Sequence, residues 1–134
     1  MSKTENRKQE NPMKYLCLVY LDENRLHELP DEDCVEFDTS IRESGHCLAS
    51  EALQSVQTAT TVRVRAGKMS ITDGPFAETK EQLAGFYMIE ARDLNEAIQI
   101  ASKIPPARVG SVEVRPIRPI RETVAQVKHG VATG

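Results

Sequence analysis

The chain has 134 residues, of which 28% are charged and 40% apolar, the size and balance of one globular domain rather than a disordered or membrane-spanning chain. A formal net charge of −3, only 4% aromatics and no Trp leave no basic field for phosphates and few platforms for stacking bases, which excludes direct nucleic-acid binding as an expectation. The cysteines, Cys17, Cys34 and Cys47, are odd in number and never at a CxxC spacing; this disfavours a disulfide framework and a zinc site and fits reduced thiols in the cytoplasm.

Residues 1–12 carry mixed charge with almost no apolar residues, which predicts a disordered tail and no secretory signal. No apolar run approaches the roughly 20 residues that cross a bilayer. The continuous apolar run from Tyr15 to Tyr20 predicts a central strand covered on both faces. Asp22–Pro30 reads as a loop. From Asp31 the spacing turns helical, with Cys34, Phe37 and Ile41 on one side. Three acids, Asp31 to Asp33, favour the positive end of that helix, and Gly45 supplies its stop.

A strand over His46–Leu53 follows, then a connection over Gln54–Ala59. Thr60–Arg65 and Lys68–Thr72 alternate as a hairpin. Alanine tolerates positive φ poorly, so the Ala66-Gly67 joint predicts a three-residue turn with Gly67 left-handed rather than a type I′ turn. Asp73–Gln82 reads as a long polar loop and Phe86–Ile89 as another buried strand. Asp93-Leu94-Asn95-Glu96 has the form of a capping box. Leu94, Ala97, Ile98, Ala101 and Ile104 make one apolar stripe, stopped by Pro105-Pro106. Ser111–Ile117 alternates as the last strand, and residues 122–134 read as a flexible tail.

The predicted order is β-α-β-(ββ)-β-α-β. This is an α+β, ferredoxin-like arrangement with a mainly antiparallel sheet and an inserted hairpin. Both helices cover one face of the sheet. The other face, apolar in its central strands, calls for a partner, and packing against the sheet of a second subunit is the simplest answer. A domain of this size buries only roughly two-thirds of its unfolded surface, so a homodimer through the sheet face also adds needed burial.

The run Asp73-Gly74-Pro75-Phe76-Ala77-Glu78-Thr79-Lys80-Glu81-Gln82-Leu83, followed by Gly85-Phe86-Tyr87, resembles the DGPF-motif branch of the YCII-related proteins. Met13-Lys14-Tyr15-Leu16-Cys17-Leu18, Ser44-Gly45-His46, Glu51-Ala52-Leu53-Gln54 and Gly110-Ser111-Val112-Glu113-Val114-Arg115-Pro116 extend the likeness in order over roughly residues 13–117, within a domain expected over 13–121. Ala84 departs from it, standing where the family has a glycine. The resemblance implies a dimeric α+β barrel. It also implies kinship with small muconolactone-isomerase-like enzymes, and gene neighbours or fusion partners among extracytoplasmic-function sigma factors. It implies a catalytic His and Asp sharing a pocket, which here are His46 and Asp73. No cofactor is expected.

His46 begins a strand and Asp73 ends one, where side chains of a rigid scaffold meet loops. An imidazole bonded to a carboxylate keeps one tautomer and moves a proton near neutral pH. Asp-Gly-Pro is equally a turn signature, with the Asp bonding its own backbone. Lys80 is the candidate holder of an anionic substrate and Glu78 a second acid or base; the plain alternative is a solvated loop. Tyr20, Glu51 and Arg115, from three strand ends, are candidates to complete a pocket. Cys47 neighbours His46 but points to the opposite face of its strand. Three readings follow: a small cofactor-free isomerase or lyase acting on a small polar organic molecule; a ligand-binding or regulatory module without chemistry that senses a metabolite or partners an extracytoplasmic-function sigma factor; or a scaffold whose Asp73-Gly74-Pro75-Phe76 turn only shapes the dimer.

Overall fold

In the computed structural model, residues 12–121 are described; the tails expected at 1–12 and 122–134 lie, Pro12 aside, outside them. Strand β1, Met13–Leu21, alternates: Tyr15, Cys17, Val19 and Leu21 are buried, while Leu16, Leu18 and Tyr20 between them are half-buried. It forms the centre of an antiparallel sheet with β2 (Cys47–Ala52), β5 (Gln82–Ala91) and β6 (Ser111–Pro116), in the order β2-β5-β1-β6. Strands β3 (Thr60–Arg65) and β4 (Lys68–Asp73) pair only with each other. Helices α1 (Asp31–Glu43) and α2 (Leu94–Ala101) complete the predicted order, and the chain is ferredoxin-like α+β. No helix of the described residues is long and apolar enough to cross a membrane.

Both helices pack on the β1 face that carries Tyr15, Cys17 and Val19, where Ile41, Ala97 and Ala101 join Ile89 and Ile104 in one core. Burial pushes the Cys17 thiol up to about 11, so this cysteine stays protonated and acts as a small apolar residue. Helix α1 stops at Ser44, whose hydroxyl donates to the Ile41 carbonyl, before Gly45 at φ +83°. At α2, the Asp93 carboxylate accepts from the Glu96 N–H at 2.9 Å; Glu96 reaches back to the Arg92 N–H, one residue earlier than the expected reciprocal bond.

The structure corrects the α2 stripe. Ala97, Ala101 and Ile104 are buried, but Leu94 and Ile98 are 49% and 46% exposed. Ile98 sits about 100° round the helix from Ala97, at the margin of a face already completed by positions 97, 101 and 104. The expected loop after β1 holds a 3₁₀ helix, Glu23–Glu28, whose first turn is capped by the Asp22 carboxylate accepting from the Asn24 N–H at 2.9 Å.

The hairpin turn also differs from expectation. Arg65 pairs directly with Lys68, and Ala66 and Gly67 take φ of +53° and +76°. This is a two-residue loop with both central residues left-handed, as a type I′ turn requires. Such a turn matches the twist of the flanking strands, and that match outweighs the roughly 1–2 kcal/mol that a left-handed conformation costs a residue with a Cβ. Ala66→Asn, which tolerates that conformation, is expected to stabilise the hairpin by about 0.5–1 kcal/mol. Hydrogen exchange of the β3 and β4 amides measures this; faster exchange in the variant would refute it.

Candidate functional site

Asp38 and Arg42 stand one helical turn apart on the side of α1 that faces strand β2. Their partner there is Ser50, which is buried, with 9% of its surface exposed. The Arg42 Nε donates to Asp38 Oδ2 at 2.9 Å and its Nη2 to Ser50 Oγ at 2.7 Å; the Ser50 hydroxyl then donates to Asp38 Oδ1 at 2.8 Å. The three side chains close a ring in which both carboxylate oxygens are satisfied and the charges are matched. Beside them the Tyr87 ring meets Phe37 edge to face, centroids 5.3 Å apart.

This ring lies at one end of a cleft of about 720 Å³ between α1 and the β2–β5 edge of the sheet. Leu21, Leu26, Leu29, Val35, Leu53 and Tyr87 supply much of its wall, which suits a small organic ligand. The rim is built by Glu23, whose carboxylate accepts from the Ser55 hydroxyl at 2.9 Å and the Val56 N–H at 2.8 Å. These bonds tie the Glu23–Glu28 helix to the connection after β2. At the floor, β5 carries a bulge: Val19 pairs with Gly85 but Tyr20 with Leu83, leaving Ala84 as the extra residue. Gly85 allows β2 to pass close above, since a Cβ there would lie 2.7 Å from the Glu51 carbonyl oxygen.

Partial burial works to raise the Asp38 carboxyl, but the hydrogen bonds from Ser50 and Arg42 outweigh it and hold the group below the usual carboxylate range. The bond to Asp38 raises Arg42, and the nearby Glu51 charge adds a smaller push in the same direction. Burial, followed by the Asp38 charge, pushes the Tyr87 hydroxyl up to about 12, and burial also raises the Cys34 thiol. A carboxyl that sits lower in the folded chain than in the unfolded one contributes stability above its unfolded value, and that stability is lost as pH falls through the folded value. Asp38→Asn is therefore expected to be less stable than the wild type at pH 7 and to lose less stability between about pH 4 and pH 2. Urea unfolding across that range checks it, and parallel curves for the two proteins would refute it.

The residues singled out from the sequence fall elsewhere, with one exception. His46 precedes β2, with Nδ1 at 2.9 Å from the Glu90 carbonyl oxygen and Nε2 at 4.0 Å from Glu96 Oε2. Asp73 ends β4 opposite Thr60, exposed. The pair therefore stands on different β-structures, neither residue lines the cleft, and no hydrogen bond joins them among the described residues. The Asp73 carboxylate is not the clasp of its turn either. The corner is held by Gly74, at φ +103°, whose N–H donates to Ala59 at 2.7 Å and whose carbonyl accepts from the Thr61 hydroxyl at 2.8 Å.

Glu78 and Lys80 are exposed on the loop that follows, which is pinned instead by the Thr79 hydroxyl on the Glu81 carbonyl and the Gln82 amide on the Thr79 carbonyl. Tyr20 pairs with Ser111 and Arg115 with Leu16. Four residue steps of strand, roughly 13 Å, separate those positions, so the two do not converge. Glu51 alone of the seven lines the cleft. Sequence reasoning passed over Asp38, Arg42, Ser50 and Tyr87; the available signal was the Asp-x-x-x-Arg spacing on a helix expected to face the sheet.

The family model of the YCII-related domain matches residues 13–121. An uncharacterised protein of Rhizobium meliloti (strain 1021) is 51% identical over 61 residues, 44% of this chain and 49% of that relative, so the chain spans about half the length of the curated protein it matches. The matched family segment begins at the first residue of β1 and runs past the last residue of β6, taking in the whole sheet, both helices and the cleft: the chain belongs to the YCII-related domain family.

Proposed function

We propose that this protein is a small-molecule-binding module whose ligand, a compact and largely apolar organic molecule, occupies the cleft between α1 and the β2–β5 edge. The observation that carries the reading is the cleft itself, about 720 Å³ walled by Leu21, Leu26, Leu29, Val35 and Leu53 beside an internally satisfied Asp38–Arg42–Ser50 ring. Asp38 is held ionised, Arg42 protonated, and the Tyr87 hydroxyl keeps its proton up to about 12. General acid–base catalysis favours a group poised near the working pH, whereas Asp38 is shifted down and Tyr87 up, each away from neutrality. The closed Asp38–Arg42–Ser50 ring of matched charges leaves the apolar walls to hold the ligand. The alternative, an isomerase or lyase moving a proton through His46 and Asp73, needs those two side chains in one site.

The test is titration of the ¹⁵N-labelled protein with 2-phenylethanol, an uncharged probe with an apolar body. Saturable amide shifts are expected at Ser50, Ala52, Gly85 and Tyr87. Shifts confined to the surroundings of His46 or of Asp73, or none that saturate, would overturn the reading.

A further inference from the structure

Building on the cleft as the binding site, we infer that its ligand carries no negative charge at its polar end, and that an apolar amine is the class it favours. Among the described residues lining the cleft, four are acids (Glu23, Asp31, Asp38 and Glu51) and one, Arg42, is a cation. Four negative charges less one positive leave −3. The one guanidinium is already engaged, with Nε on Asp38 and Nη2 on Ser50, so it offers an incoming carboxylate or phosphate little. Glu23 is hydrogen-bonded by a hydroxyl and a backbone N–H, which leave its charge in place. Asp31 and Glu51 make no side-chain hydrogen bond or ion pair among the described residues, and the Glu51 charge is felt at the Arg42 guanidinium. Apolar walls of low dielectric concentrate such a field. Lys80, the cation expected from the sequence to hold an anion, lies outside the lining.

Three probes of one skeleton separate charge from shape: 2-phenylethylamine, 2-phenylethanol and phenylacetate, each titrated at neutral pH with the cleft amides as the readout. The amine is expected to bind about fivefold more tightly than the alcohol at low salt, and phenylacetate more weakly than either. The double variant Asp31→Asn/Glu51→Gln should narrow the amine's advantage over the alcohol to less than about twofold, and salt should do the same to the wild type. Phenylacetate binding as tightly as the amine would overturn the charge inference while the alcohol's shifts kept the cleft itself as the site. Failure of all three probes to move the cleft amides would overturn both.

Discussion

Replacing Gly110 with alanine is expected to destabilise the domain by roughly 3 kcal/mol and to lower its melting midpoint by roughly 12–20 °C. Gly110 turns the chain from the 3₁₀ helix Pro105–Arg108 into β6, its N–H donating to the Pro106 carbonyl at 2.7 Å. A Cβ there would run into the backbone carbonyl oxygen of Tyr20 and lie 3.2 Å from the Leu21 Cα. Those atoms belong to β1, the strand hydrogen-bonded on both sides and packed beneath the helices, so it cannot move aside without disturbing two strand pairings. Gly45→Ala is the control. Gly45 sits at φ +83° with nothing near its missing Cβ, and its replacement costs about 1 kcal/mol through backbone conformation alone. Gly85→Ala should fall between them, because the backbone it meets belongs to β2, an edge strand able to shift. Thermal melts of the three variants decide it; a Gly110→Ala midpoint no lower than that of Gly45→Ala would show the contact to be tolerated.

That ordering depends on strand neighbours, which marks the boundary of what the sequence makes legible. The apolar runs around Tyr15–Tyr20 and Phe86–Ile89, the alternation of Thr60–Arg65 and the 3.6-residue spacing from Cys34 to Ile41 are local signals, and each became the expected element. Details decided between elements were not legible. A Cβ penalty at Ala66 argued for a looser turn, but the twist of two paired strands set the turn instead. Leu94 and Ile98 fit an apolar stripe, yet the seating of α2 on its two alanines left them outside. The candidate site follows the same rule. Asp38 and Ser50 are 12 residues apart and meet only because α1 folds back over β2. His46 and Asp73 drew notice as chemically capable residues at strand ends and through a family likeness. Their surroundings are set by register, which gives His46 the end of β5 at Glu90 and gives Asp73 the start of β3 at Thr60.

The face of the sheet away from the helices leads to the second large expected effect, dissociation by Leu18→Asp of a homodimer that we propose forms there. Leu16, Leu18 and Tyr20 line that face on β1, with Met88 and Phe86 opposite the two leucines on β5; all five are half-buried in the single chain. The hairpin adds a second apolar surface. Val62 pairs with Ile71 and Val64 with Met69 on one side of it, each between 57% and 66% exposed, while Arg63, Arg65 and Lys68 take the other side. A two-stranded hairpin is marginal in water without something to cover its apolar face, and contiguous apolar patches of this kind mark interaction surfaces. We propose that a second copy of the chain covers the sheet through one isologous contact. The wild type is therefore expected to sediment as a dimer at micromolar concentration and to melt at a midpoint that rises with concentration. Leu18→Asp leaves a half-exposed side chain in a folded monomer, where a carboxylate reaches water. In the dimer it becomes an unpaired charge in an apolar contact, which costs about 3 kcal/mol or more and weakens association at least ~100-fold. The expected result is a monomer with an intact far-ultraviolet spectrum. Ile71→Asp then separates the two surfaces: it dissociates the dimer only if the hairpin shares the same contact. A wild type that sediments as a monomer, or a Leu18→Asp variant that stays dimeric, would remove the sheet face as the interface.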